Sequence, residues 1–132
     1  MARIEKFEDL KCWQAARQQV HLVYQACDLG KLSKDFETRN QIKAAALSTM
    51  NNIAEGFGRS SNKEFIRFLD ISQSSAQEVK SITYALEDCG YLAIEKIMEI
   101  RTKAVEVKSL DLGLIKYLRS HQKTKAEPTP KP

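Results

Sequence analysis

Apolar residues recur at helical spacing in four stretches of this chain. Trp13, Ala16, Val20, Val23 and Cys27 step by three and four, which lines one face of a helix from about Glu8 to Leu29. Glu8 and Asp9 fall in its first turn, where the helix dipole favours negative charge. Gly30 is suited to the left-handed conformation that ends a helix. A second helix is expected from Ser33 or Asp35 to Phe57, with the narrow stripe Ile42, Ala45, Ala46, Thr49 and Ile53, and with Gly56 and Gly58 ending it. The third has the most regular pattern: Phe65, Phe68, Ser72, Ser75, Val79, Ile82, Leu86 and Cys89. Ser61 and Glu64 form a capping box at its start. Gly90 ends it, and Tyr91 supplies the apolar residue that folds back over such a cap. The tightest crossing is expected where Ser72 and Ser75 meet the alanines of the second helix.

The fourth helix, about Ile94 to Arg119, carries two apolar stripes. Ile97, Ile100, Ala104, Val107, Leu114 and Leu118 form one; Ile94, Met98, Val105, Leu112 and Ile115 form the other. One bundle core needs one stripe. The second is therefore assigned to another subunit, since an uncovered row of that length invites aggregation. Gly113 and Asp111 weaken the last turns. Short connections near 30–34, 57–61 and 90–93 make successive helices antiparallel neighbours. The expected fold is all-α, an antiparallel up-down-up-down four-helix bundle over 1–119, followed by a disordered, basic, proline-containing tail over 120–132.

Composition fits this picture. All three prolines lie at 128–132, so no helix is interrupted by one. No run approaches the ~18 apolar residues of a membrane span, and residues 1–6 lack the apolar core of a signal peptide. The expected compartment is the cytoplasm, where Cys12, Cys27 and Cys89 remain reduced thiols. The net charge of +4 is unevenly placed. Residues 1–115 hold sixteen Lys/Arg and sixteen Asp/Glu, whereas 116–132 hold Lys116, Arg119, Lys123, Lys125 and Lys131 against Glu127.

No catalytic or metal constellation emerges. His21 and His121 have no ligand-spaced partners. Gly56-Phe57-Gly58 follows a helix rather than a strand, so it is no phosphate loop. Ser48, Asn52 and Glu55 align on one face, but no His or Cys nearby in sequence activates the serine. Helix–helix hydrogen bonding is their expected role, with Glu55 accepting from the start of the third helix. No enzyme activity and no cofactor are expected. Nucleic-acid binding has a better basis. Arg39, Lys43, Arg59, Lys63 and Arg67 are grouped around the second connection, and Lys123 and Lys125 extend the basic tail. Phosphate backbones are recognised by such spreads of cations. The competing reading is a solvated face with local pairs such as Arg59 with Glu55. Trp13, Tyr24 and Phe57 are candidate base-stacking residues if exposed; Trp13 falls on the core stripe, and Tyr24 lies off it.

Three groups of residues carry a family resemblance over about 9–119. They are Leu10, Trp13, Gln14, Ala15-Ala16 and Val23-Tyr24; then Gln41-Ile42, Ala45-Ala46, Ser48 and Asn52-Ile53-Ala54-Glu55-Gly56; then Lys63-Glu64-Phe65, Arg67-Phe68-Leu69 and Gly90-Tyr91-Leu92. In this order and spacing they resemble the four-helix bundle proteins encoded in intervening sequences of bacterial 23S ribosomal RNA genes. That family is related to the accessory variability determinant of diversity-generating retroelements. The resemblance implies a homopentamer around a central axis and, from the retroelement relatives, nucleic acid and a reverse transcriptase as partners. Lys43-Ala44 stands where the family usually has two arginines, removing a charge from the expected binding face. Met50 stands where a proline is usual. A structural oligomeric adaptor that binds another protein is the alternative function.

Overall fold

The computed structural model describes the backbone of residues 3–124 and the side chains of residues 3–121. Its four long helices are α1 (Lys11–Ala26), α2 (Phe36–Phe57), α3 (Asn62–Asp88) and α4 (Ile94–Thr124). Each packs against its sequence neighbours, and α4 closes the ring against α1. The result is the expected antiparallel bundle, with no strand among the described residues.

Local chemistry sets the helix boundaries. Phe7–Asp9 form a separate 3-10 turn, and extended Leu10 starts α1 three residues later than the periodicity indicated. Phe7 meets Trp13 edge-on at 5.2 Å, so the turn folds back onto the helix it precedes. Asp35 caps α2, accepting from the Thr38 amide at 3.1 Å and the Thr38 hydroxyl at 2.8 Å. It also accepts from the Tyr91 hydroxyl at 2.8 Å, which ties the first connection to the third. The Thr38 amide and then the Tyr91 hydroxyl hold this carboxyl below its usual range. Gly30 sits at φ 52° in the same place, and a Cβ there would stand 2.3 Å from the Tyr91 carbonyl oxygen.

α3 begins and ends as its sequence indicates. Ser61 Oγ accepts from the Glu64 amide at 3.2 Å. The Glu64 carboxylate turns to Arg67 at 3.3 Å instead of completing the capping box. At the other end Gly90 adopts φ 65°. The Tyr91 amide donates to Leu86 O at 2.9 Å and the Gly90 amide to Glu87 O at 3.1 Å, the bond pair of a Schellman cap. α4 continues five residues past the expected end at Arg119. Of the expected tail over 120–132, the backbone of 120–124 continues α4, and residues 125–132 lie outside the described residues.

The interior contains two apolar clusters. One gathers Trp13, Ala16, Ile53, Phe65, Leu69, Val107, Ile115 and Leu118. The other gathers Val23, Leu32, Ile42, Val79, Leu86, Ile97 and Ile100. Buried polar groups cross the core as well. Gln19 Nε2 donates to Thr49 Oγ1 at 3.0 Å, and Ser72 Oγ donates to Asp111 Oδ2 at 2.5 Å. The buried face of α3 is Phe65, Phe68, Leu69, Ser72, Ala76, Val79, Thr83 and Leu86. Ala76 and Thr83 therefore take places assigned to Ser75 and Ile82, and Cys89 is exposed. Ser75 sits at the α2–α3 seam, 2.8 Å from Ser48 Oγ.

Gly56 does not end α2; it lies within the last turn and is buried. A Cβ added there would be 2.6 Å from the Phe68 Cβ and 3.0 Å from Phe65 Cδ1. Glycine is thus required by close packing of α3, despite the helix-propensity cost of roughly 1 kcal/mol relative to alanine. At Gly58 an added Cβ meets nothing closer than 3.5 Å and φ is −77°. Gly56→Ala should lower stability by about 1–3 kcal/mol through overpacking. Gly58→Ala should be neutral or slightly stabilising. Urea melts of the two variants beside the parent separate these outcomes; equal midpoints would refute the close-packing role of Gly56.

Candidate nucleic-acid interface

Antiparallel winding brings the start of α1, the end of α2, the start of α3 and the end of α4 to one end of the bundle. Arg59, Lys63 and Arg67 occupy the α2–α3 hairpin there. Arg59 pairs with Glu55 at 2.9 Å, and Arg67 with Glu64 at 3.3 Å. Both guanidiniums also lie against Phe68, at 4.8 and 4.9 Å from its ring centroid. Cation–π contacts of this kind contribute about 0.5–1 kcal/mol at exposed sites. They hold two positive groups around one ring at the rim of the core. Lys63 is exposed and has no ion-pair partner among the described residues.

Lys116 and Arg119, exposed near the end of α4, belong to the same end of the bundle. The backbone of Lys123 lies in the last turn of α4, its side chain lies outside the described residues, and so does all of Lys125. Glu8, Asp9, Glu55, Glu64 and Asp70 share this end, so its charge is mixed, with the cations on the hairpin and on α4.

The structure divides the expected cation cluster. Arg39 and Lys43 lie near the start of α2, about 24–30 Å along the helix axis from Arg59. Both are half-buried and engaged locally. Arg39 Nη1 donates to Ser33 O at 3.4 Å, and its guanidinium lies 5.5 Å from the Phe36 ring. Lys43 Nζ lies 4.8 Å from the Tyr24 ring. They flank Cys27, whose thiol burial pushes above its usual range against the opposing pull of Lys43 and Arg39. Arg39 and Lys43 are thus removed from the hairpin group: sequence proximity along a long helix does not place residues at the same end.

The stacking candidates also separate. Trp13 is buried in the core, as its register indicated, and Phe57 meets Phe65 edge-on at 6.0 Å. Tyr24 is 40% exposed but is covered on one side by Lys43. An open groove along α1 is lined by Trp13, Gln14, Arg17, His21 and Lys103. Lys103 is already bound there by Gln18 and Glu106, each at 2.7 Å.

On α4, Ile94, Met98, Val105 and Leu112 are 44–47% exposed, along one side facing away from the core. Their steps of four, seven and seven residues make a narrow seam. Arg101 borders it, stacked 3.8 Å from the Tyr84 ring and paired with Glu87 at 2.6 Å. Ile115 does not belong to this row. It is 4% exposed and packs in the core with Leu10, Trp13 and Leu118, which corrects its assignment to a subunit interface. Leu114, placed in the core stripe by sequence, is half-buried.

The polar stripe of α2 works in packing. Asn52 Nδ2 donates to Ser48 O at 2.8 Å and to Ser48 Oγ at 3.0 Å, and Ser48 reaches Ser75 across the seam. Glu55 accepts from Arg59 rather than from the start of α3. Sequence reasoning missed Asp111, which is fully buried. Its register was visible, since 104, 107, 111, 115 and 118 form one core stripe. Among the described residues no group of three His, Cys, Asp or Glu is arranged to hold a metal ion. No described helix is long and apolar enough to cross a membrane.

These features define an all-α bundle protein with a hairpin end of mixed charge that carries clustered cations, and with an apolar row exposed on its last helix. The profile of the 23S rRNA-intervening sequence protein family matches residues 8–111, and the chain belongs to that family. A crystal structure of a protein of unknown function from the S23 ribosomal protein family of Bacteroides thetaiotaomicron is similar, with a TM-score of 0.73. The similarity spans 80% of this chain and 98% of that one at 24% identity, which speaks for the fold alone. Comparison with curated proteins returns no match.

Burial separates the two kinds of apolar residue on α4. Ile115→Ala should cost about 2–5 kcal/mol of stability as a large-to-small core change. Val105→Ala should cost less than about 0.5 kcal/mol in the dissociated chain. Denaturant melts at the lowest workable concentration test this, and similar losses would mean that the two positions share one environment.

Proposed function

We propose that this protein is a non-enzymatic, oligomeric nucleic-acid-binding module, an accessory to a larger machinery such as a retroelement reverse transcriptase. The observation that carries this reading is the meeting of two cation groups at one end of the bundle. Arg59, Lys63 and Arg67 belong to the hairpin, and Lys116 and Arg119 to the end of α4. The exposed pairs with Glu55 and Glu64 are worth about 0–1 kcal/mol each and give way readily to a phosphate. Cations on separate helices can follow a backbone without reading bases, so the contact is of the positioning kind and carries little sequence preference.

Assembly is the second element of the proposal. The row Ile94, Met98, Val105 and Leu112 suits a second copy of the chain, and a closed ring of copies, the pentamer implied by family resemblance, would repeat the hairpin and α4 cations around one axis. Several weak patches then bind together through avidity. The same uncovered row favours the alternative reading, an oligomeric adaptor whose partner is a protein.

Light scattering of the parent should give several times the chain mass, and Val105→Glu should lower it with helicity retained. Binding to RNA or DNA should be nearly independent of sequence and fall steeply with salt. Lys63→Ala with Arg67→Ala should weaken binding across all sequences and reduce the salt slope by about 2. Arg39→Ala with Lys43→Ala should leave both nearly unchanged. An intact oligomer that binds no nucleic acid at ~50 mM salt, where phosphate contacts are strong, would replace this reading with the adaptor.

A further inference from the structure

Among the described residues the core holds one carboxylic acid. Asp111 is fully buried, midway along the stripe by which α4 contacts the other helices. Ser72 Oγ from α3 donates to its Oδ2 at 2.5 Å, and Oδ1 has no hydrogen-bond partner. The Cys12 thiol from α1 lies beside the same carboxyl and is the other titratable group facing it among the described residues. The buried residues of α2 are Ile42, Ala45, Ala46, Thr49, Ile53 and Gly56, none of them ionisable, and those of α3 include none either. Lys108, one turn before Asp111 on α4, is directed outward and bound to Gln77 at 3.0 Å. Among the described residues no cation therefore stands ready to compensate a negative charge at this position.

Two residues further on, Gly113 is exposed, and a Cβ there would meet no neighbour within 4 Å. A glycine inside an exposed helical turn weakens the helix by roughly 1 kcal/mol relative to alanine. The segment beyond it is retained by Ile115 and Leu118 in the core and carries Lys116 and Arg119.

We propose that Asp111, Ser72 and Cys12 form a pH-sensitive latch on the last turns of α4, in which proton loss from the buried carboxyl promotes release of the segment beyond Asp111. The proposal is independent of the nucleic-acid reading. In the neutral form the carboxyl O–H can donate to Ser72 Oγ across the same 2.5 Å contact, the reverse of the bond made to the carboxylate, and the other oxygen is left as an unpaired acceptor at modest cost. A carboxylate leaves an uncompensated charge in an apolar core, which opening of the segment hydrates.

Desolvation raises this carboxyl from 3.8 to about 7, against the opposing pull of the Ser72 and Cys12 groups. A raised acid favours the closed state fully below about pH 4. That advantage is lost as pH rises from about 4 to about 7, and no further change follows above it. The opening equilibrium of residues 112–121 should therefore rise about a hundredfold between pH 5 and pH 8 and then level.

Hydrogen exchange of the amides of 112–121, corrected for intrinsic rates, measures this directly at several pH values. In the parent, protection should fall in that segment while the middle of α2 and α3 keeps theirs. In Asp111→Asn, close in shape and without a titrating group, protection should not change with pH. Carbon-13 NMR of the carboxyl in the parent should give a titration midpoint near 7, and this measurement requires no variant. A midpoint near 4, or protection of 112–121 that is constant from pH 5 to 8 in the parent, would overturn the latch.

Discussion

The seat of Phe65 and Phe68 on Gly56 is the contact from which the rest of this molecule is arranged. α2 and α3 are joined by the short connection 58–61, so their relative placement depends on how closely the first turns of α3 approach α2. With no side chain at Gly56, both phenylalanines enter the core at the hairpin. Further along the same seam, Ser48 and Ser75 lie 2.8 Å apart, which also requires small side chains. Bulk at either point would spread the helices and shift everything hung on the hairpin. Phe68 is both a core residue and the platform against which Arg59 and Arg67 rest, so the packing that folds the chain also sets the position of its cations.

Topology supplies the next step. An up-down-up-down bundle places the C-terminal end of α4 beside the α2–α3 hairpin whatever the sequence between them. The excess of positive charge in the last part of the chain therefore adds to the hairpin cations at one end. Arg39 and Lys43 are carried to the other end by the length of α2, where they pack against Phe36 and Tyr24. Residues twenty apart on a helix are neighbours in sequence terms and distant in space.

The helices, the Ser61 cap, the Schellman turn at Gly90 and the bundle class were all legible before the structure, whereas the choice of Asp35 over Ser33 as the cap of α2 was left open. Each rests on local chemistry: a 3.6-residue period, a side-chain acceptor at a helix start, or a glycine past a helix end. What was not legible depended on other helices. Ser75 and Ile82 fit the α3 stripe as well as Ala76 and Thr83 do. Only contact with α2 and α4 decides which pair lies inside. Gly56 looked like a stop signal because its purpose, space for Phe68, is supplied from twelve residues away. Ile115 fitted either of two stripes on α4, and its burial follows from how far the core extends toward that end. For the candidate site, the hairpin and α4 cations were identified and their meeting followed from the topology, whereas the loss of Arg39 and Lys43 required the packing.

Asp111 shows how composition alone misleads. An aspartate beside Leu112-Gly113 reads as the fraying end of a helix, yet the register 104, 107, 111, 115, 118 points it inward. Replacing it with leucine in thought would give an uninterrupted apolar stripe and a simpler core. The chain instead retains an acid there, satisfied at one oxygen by Ser72, whose own place on α3 is also fully buried. A serine and an aspartate meeting across a helix pair also fix register, because sliding α4 by one turn would separate them and leave both unpaired at a cost of about 1–3 kcal/mol or more. The row opposite, Ile94, Met98, Val105 and Leu112, is apolar at every position and so carries no such polar pair to fix its register. The inner face of α4 therefore specifies where the helix sits in its own bundle, and the outer face leaves its pairing to whatever covers it.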